Sequence, residues 1–157
     1  MNLLLLNMLL AGVWAVLVGD VNVENLGFGF LLGYGIIAAL RITPAARGYT
    51  SRLPRGIALL FFFLWELLLS CVRVARDVLS PSPKFRPGII GVPLDAKTDE
   101  EITLLACLIT LTPGTLSLDV SPDRKTLYIH TMWVDDPEAF RREIKDGFER
   151  RVLELMR

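Results

Sequence analysis

The sequence predicts an α-helical membrane region followed by a small α+β domain. The membrane region reads as two transmembrane helices plus an interfacial or third membrane helix, and the domain as β-α-β-β-α. Three observations carry this. Nearly all the long apolar runs in the 157 residues precede Pro81, and most of the charge follows it. Met1 to Lys84 holds seven Lys/Arg against four Asp/Glu, and Phe85 to Arg157 holds ten against thirteen, so a net charge of zero conceals a basic membrane-like half and a mildly acidic soluble half. The second half also switches between helical and alternating apolar periods at turn residues. Neither half has the basic excess of a nucleic-acid binder.

Residues 1–42 read as a transmembrane helical hairpin. Leu3 to Val18 is apolar apart from Asn7 and Gly12, and the first nineteen residues lack the basic side chains that a signal peptide needs. At ~20 residues for a usual span, Met1 to Gly19 comes close to sufficient. The second run, Leu26 to Ile42, is rich in small residues. Gly29 and Gly33 make one small-x-x-x-small step, and Gly35 with Ala39 makes another, so helix packing is expected at Gly29, Gly33 and Gly35. In lipid such steps let backbones approach, against the first span or another chain. In water each glycine would cost a helix about 1 kcal/mol.

The connector Gly19 to Asn25 carries Asp20 and Glu24 but no base, whereas Arg41, Arg47, Arg52 and Arg55 follow the second run. The positive-inside rule then places both ends of the hairpin in the cytoplasm. Residues 43–56 form a basic cytoplasmic connector, in which Pro44, Gly48 and Pro54 predict a broken helix. Residues 57–79 are apolar enough to span, but bases flank them on both sides. An amphipathic, interfacial helix keeps both flanks inside. Glu66, Ser70, Arg73 and Asp77 recur at helical spacing as one polar stripe, with Arg73 and Asp77 one turn apart and able to pair. Glu66 is a candidate for the ion path because it is the one acid inside an apolar run. The stripe Glu66, Arg73 and Asp77 otherwise reads as a solvated or docked interface, and that reading is preferred.

Residues 80–88 form a Pro-rich linker, and residues 89–157 a cytoplasmic α+β domain. Ile89 to Pro93 reads as a strand. Thr98-x-x-Glu101 is a capping-box signature for a helix to about Leu111, with Ile102, Leu105, Ala106 and Ile109 inward. Leu104, Leu108 and Leu111 make that helix apolar elsewhere too, so a second layer or a partner is expected to cover it. Thr115 to Val120 reads as a strand with Leu116, Leu118 and Val120 on one side, joined to a second hairpin member, Thr126 to Val134. Asp136 caps a last helix with Pro137 at its first position, and Phe140, Ile144, Phe148, Val152 and Leu155 form its stripe. Glu138 with Arg142, and Asp146 with Arg150, are expected ion pairs. Both helices are expected on one sheet face.

Little in this domain points to catalysis. His130 is a lone histidine placed with Tyr128 and Met132, without a nucleophile or second ligand. Asp135 and Asp136 fit helix capping better than metal binding. Cys71 and Cys107 lack metal-ligand spacing and read as buried free thiols. No cofactor or metal site is expected.

The run Glu101 to Ser117, and most specifically Ile109-Thr-Leu-Thr-Pro-Gly-Thr115, resembles the signature of the E-type subunit of the Mrp-type multisubunit Na+/H+ antiporters. The likeness extends to Trp65-Glu66, Phe85-Arg-Pro-Gly-Ile89, Tyr128-Ile-His130 and the closing helix, so it covers essentially the whole chain. Thr110, Thr112, Pro113, Gly114 and Thr115 are the signature positions, and Cys107 departs from the polar residue expected there. The resemblance implies a bacterial cytoplasmic-membrane complex that exchanges Na+ for H+. In it this multi-pass chain would be an accessory subunit, not an enzyme, supporting assembly and coupling. Its partners would be the other antiporter subunits and membrane lipid. The competing class is a stand-alone membrane-anchored domain that binds a ligand or catalyses a reaction.

Overall fold

The computed structural model describes residues 3–40, 44–81 and 85–157, with the side chains of residues 44–47 left out. Arg41, Lys84 and the side chain of Arg47, which contribute to the charge asymmetry, thus lie outside what is described, as does the middle of the Pro-rich linker. The chain divides into two compact units, Met1–Pro54 and Arg55–Arg157.

In the first unit α1 (Leu3–Val18) and α2 (Val23–Leu40) form the expected hairpin. Asn22 accepts the Asn25 N–H at 2.7 Å and caps α2, so the helix starts three residues before its apolar run. Asn7, Ala11 and Ala15 of α1 are buried, as are Gly29, Gly33 and Ile37 of α2. A Cβ on Gly29 would lie 2.9 Å from Trp14 Cβ and 3.0 Å from Ala11 Cα, and one on Gly33 would collide with the Asn7 amide oxygen. Gly35 does not share this packing. It is exposed with nothing within 4 Å of a built Cβ, because two residues beyond Gly33 is about 200° around a helix.

The third helix, α3, runs unbroken from Pro44 to Leu79, against the expectation of an interrupted connector. Pro44 sits at a first-turn position, where its missing N–H costs nothing. Pro54 leaves the Thr50 carbonyl without its usual helical donor. The Tyr34 hydroxyl of α2 donates to that carbonyl at 3.0 Å, and Asn7 Nδ2 donates to the Tyr49 hydroxyl at 3.0 Å. Side chains of the hairpin thus supply what the proline removes. Helices Val23–Leu40 and Gly48–Leu79 are each long and apolar enough to cross a membrane.

In the second unit, β1 (Gly88–Pro93), β2 (Thr115–Val120) and β3 (Thr126–Thr131) form an antiparallel sheet of order β1-β3-β2. Helix α4 (Asp99–Leu111) opens with the predicted capping box between Thr98 and Glu101. Helices α5 (Pro137–Glu143) and α6 (Arg150–Met156) are joined by a π-helical turn, Ile144–Glu149. The core joins Ile90, Val92, Leu127 and Ile129 of the sheet to Leu105, Ile109, Ile144 and Phe148. Both helical segments therefore cover one sheet face, as the pattern required.

The π turn answers a mismatch in the sequence. The stripe 140-144-148-152 advances four residues at a time, and each step overshoots an α-helical turn by about 40°. Over three steps Val152 would rotate away from the core. A wider turn absorbs the drift, and Ile144, Phe148 and Val152 are all at most 5% exposed. The same turn carries Glu149 inward, where its Oε1 accepts the N–H groups of Asp95 and Ala96 at 2.6 and 2.9 Å.

Several expectations need correction. Strand β2 shifts register between Ser117 and Asp119, so Leu116 and Leu118 face outward while Val120 packs against the core. Cys71 and Cys107 are free thiols but exposed, since each falls on the outward side of its helix. Glu138 pairs with Arg141 and Arg150 with Glu154 rather than with the partners expected from spacing. Arg73 and Asp77 make no direct ion pair among the described residues. They meet instead on one aromatic ring.

Candidate functional site

Within the second unit a cleft of about 710 Å³ lies between α3 and the α+β domain. One wall is the polar stripe of α3, Glu66, Ser70, Arg73 and Asp77. The facing wall brings Thr112, Pro113 and Thr115 of the signature run together with Thr131 and Trp133, and Glu143 of α5 stands nearby. On the α3 wall Ser70 is only 6% exposed, Glu66 and Asp77 are half-buried, and Arg73 is exposed.

The docking begins where apolar positions alternate with the stripe. Leu59 is buried, and Phe62 and Phe63 pack against the domain core. The Phe62 ring meets Phe148 edge-on at 5.2 Å, and the Arg151 guanidinium lies 3.8 Å over its centre. At the other end, Trp133 Nε1 donates to Asp77 Oδ2 at 2.7 Å, and the Arg73 guanidinium stands 5.6 Å from the Trp133 ring centre. One indole thus meets two of the three charged residues of the stripe, Asp77 and Arg73.

The signature run builds the seat for that indole. Thr112 caps α4, its N–H bonded to Ile109 O and its hydroxyl donating to Leu108 O at 3.0 Å. The Thr115 hydroxyl lies 2.7 Å from Ile109 O and 2.9 Å from Thr112 O, and Thr110 Oγ1 accepts the Ser117 N–H. Gly114 follows Pro113 at φ +90°, a conformation that favours glycine, and a Cβ there would enter the Trp133 ring. Gly114 O also accepts the Met132 N–H at 2.9 Å, tying the turn to the residues after β3. Every signature threonine hydroxyl is therefore engaged in closing the turn from α4 into β2.

The other candidates are accounted for by the frame. His130 lies on the open sheet face, in register with Ile89 and Leu116. Asp136 caps α5 through the Glu138 N–H at 2.9 Å, and Asp135 lies 3.6 Å from Arg86. Among the described residues no three of His, Cys, Asp and Glu gather as metal ligands. Away from the cleft, Glu101 is buried, and its Oε2 accepts the Lys97 N–H at 2.8 Å while Arg157 Nε donates to its Oε1 at 3.0 Å. The hydrogen-bonded Arg157 and the backbone N–H groups hold its pKa at about 2, against the opposing effect of burial.

Sequence reasoning did not single out Trp133. The signal was present: it continues the inward phase of Leu127, Ile129 and Thr131 one step past β3. Nor did it pair the signature with the α3 stripe, since the two lie far apart in the chain.

The profile of the family described as Na+/H+ ion antiporter subunit matches residues 7–155. The chain belongs to that family. It is 40% identical over 152 residues to the E-type Na+/H+ antiporter subunit of Alkalihalophilus pseudofirmus, covering 97% of this chain and 96% of the relative. Among solved structures, a chain of the Mrp complex from Dietzia sp. aligns with a TM-score of 0.50 at 31% identity, covering 66% of this chain and 98% of its own length. A chain of the membrane-bound sulfane sulfur reductase, an archaeal respiratory membrane complex, aligns with a TM-score of 0.57 at 28% identity, covering 97% of this chain and 98% of that one.

Proposed function

We propose that this protein is an accessory subunit of a multisubunit Na+/H+ antiporter in the bacterial cytoplasmic membrane, supporting assembly and coupling of the ion-translocating subunits. Its spans complete the packing of the membrane region, and its α+β domain braces neighbouring subunits from the cytoplasmic side. The observation that carries this is the use of the signature threonines. Their hydroxyls close a turn that presents Trp133 to Asp77 and Arg73, which is an architectural role and leaves no activated nucleophile. The arginines on both flanks of residues 57–79 support a cytoplasmic domain on a multi-pass chain.

The test is purification of a tagged copy from its native membrane in mild detergent. Several membrane proteins should co-purify in fixed ratio, and the chain expressed alone should be poorly stable. A stable, solitary chain that binds a ligand would overturn the reading in favour of a stand-alone domain. The side of the membrane is tested by a reporter fused after Arg86, which should read out as cytoplasmic.

A further inference from the structure

We propose that α3 from Ile57 to Leu79 lies along an anionic lipid surface, its outward face in the acyl boundary and Arg76 and Arg86 at the headgroups. The proposal deepens the membrane-subunit reading and rests on it. Two opposite faces of this helix have different surroundings. One face, through Phe62, Phe63, Ser70 and Asp77, is occupied by the α+β domain. The other presents Leu60, Phe61, Leu64, Trp65, Leu68 and Val72, each 47–68% exposed and none charged.

That division decides how the helix meets a bilayer. A spanning helix would draw its docked face into hydrocarbon, together with Glu66, Arg73, Asp77 and the Arg151 seated over Phe62. Charged groups at that depth are costly, and the backbone of an α+β domain cannot be satisfied in lipid. Lying in the membrane plane meets both demands, since one face enters the acyl boundary and the other stays on its domain. Trp65, large and amphipathic, suits the headgroup level.

The charges favour anionic lipid over a covering protein helix. Arg76 is exposed on the border between the two faces, and Arg86 lines the near end of the cleft. Arg76 makes no ion pair among the described residues, and Arg86 meets Asp135 only at 3.6 Å with both side chains largely exposed. Their stems can lie along apolar surface while the guanidinium groups reach phosphates. Bases near an anionic surface each favour binding about fivefold.

The test uses the full chain in its purified complex, or alone if no partner co-purifies, so this inference and the subunit reading fail separately. In a Cys71→Ser, Cys107→Ser background, nitroxide labels at positions 60, 64, 68 and 72 are read for collision with oxygen and with a water-soluble nickel chelate. The vesicles are phosphatidylcholine with or without phosphatidylglycerol. Labels at all four positions should show high oxygen access at one shallow depth of about 5–10 Å. Positions 60 and 72 are separated by roughly 18 Å of helix, so a span would give a steep depth gradient. Such a gradient overturns the proposal, and so does exclusion of both reagents, which would mean a protein covers the face. Phosphatidylglycerol should deepen the label at position 72, and Arg76→Gln with Arg86→Gln should abolish that change. Depth insensitive to phosphatidylglycerol in the unsubstituted chain would remove the arginines' role.

Discussion

The bond between Trp133 and Asp77 fastens the C-terminal end of α3 to the domain, and its energy can be worked out beforehand. At 2.7 Å from indole nitrogen to carboxylate it is a charge-assisted hydrogen bond in a partly buried setting. Bonds to charged groups contribute about 1.5–3 kcal/mol, and partial exposure places this one near the lower figure. Trp133→Phe removes the donor and keeps a ring above Gly114, while Asp77→Asn keeps an acceptor and removes the charge. Because Asn retains part of the bond, the coupling in a double-mutant cycle should be about 1 kcal/mol, a roughly fivefold change in the docking equilibrium. The assay is hydrogen exchange of the amides at the C-terminal end of α3, followed in the intact complex for the parent, both single variants and the double variant. Independent sites add to within about 0.3–0.5 kcal/mol. A coupling inside that margin of zero would refute the claim that the indole fastens α3 to the domain.

Gly114→Ala should destabilise the chain by about 3 kcal/mol, combining the penalty of a positive φ with overpacking against Trp133, whereas Gly35→Ala should be near neutral; thermal unfolding of the complex distinguishes them. Glu101 is bound more tightly as a carboxylate in the folded state, so its contribution is complete above the unfolded carboxyl pKa near 4.5 and is lost as pH falls toward about 2. Glu101→Gln should flatten the acid limb of the stability curve measured between those values, and an unchanged limb would contradict the assignment. Glu66→Gln should leave Na+/H+ exchange normal in an assembled complex, and lost exchange with intact assembly would put Glu66 on the ion path.

Much of the architecture is legible from local rules. The capping box at Thr98 and Glu101, the cap at Asp136 and the turn at Pro113-Gly114 act over a few residues, and each formed as read. The errors share a different origin. Pro54 stays inside a helix in which Tyr34, sixteen residues before Thr50, donates to the carbonyl that the proline cannot serve. The bulge at Leu118 turns Val120 inward, which no alternation count can register. The thiols were assigned to the interior because their neighbours in sequence are apolar, yet in a chain that meets lipid apolar neighbours also mark an outward face.

The same ambiguity governs α3, and the minority of polar positions bears on it more than the apolar majority does. Length and composition make residues 48–79 a candidate span, because such a test counts apolar residues without asking which face they occupy. Four polar positions carry the missing information. A stripe of Glu66, Ser70, Arg73 and Asp77 in lipid would require partners at membrane depth. Here Ser70 is buried against a folded domain, and Asp77 and Arg73 find one indole set in place by the turn at Thr112 to Thr115. The signature and the stripe are thus two halves of one joint, although more than thirty residues separate them. Any substitution that loosens the turn should therefore be felt first in the attachment of α3, before the core of the sheet is disturbed.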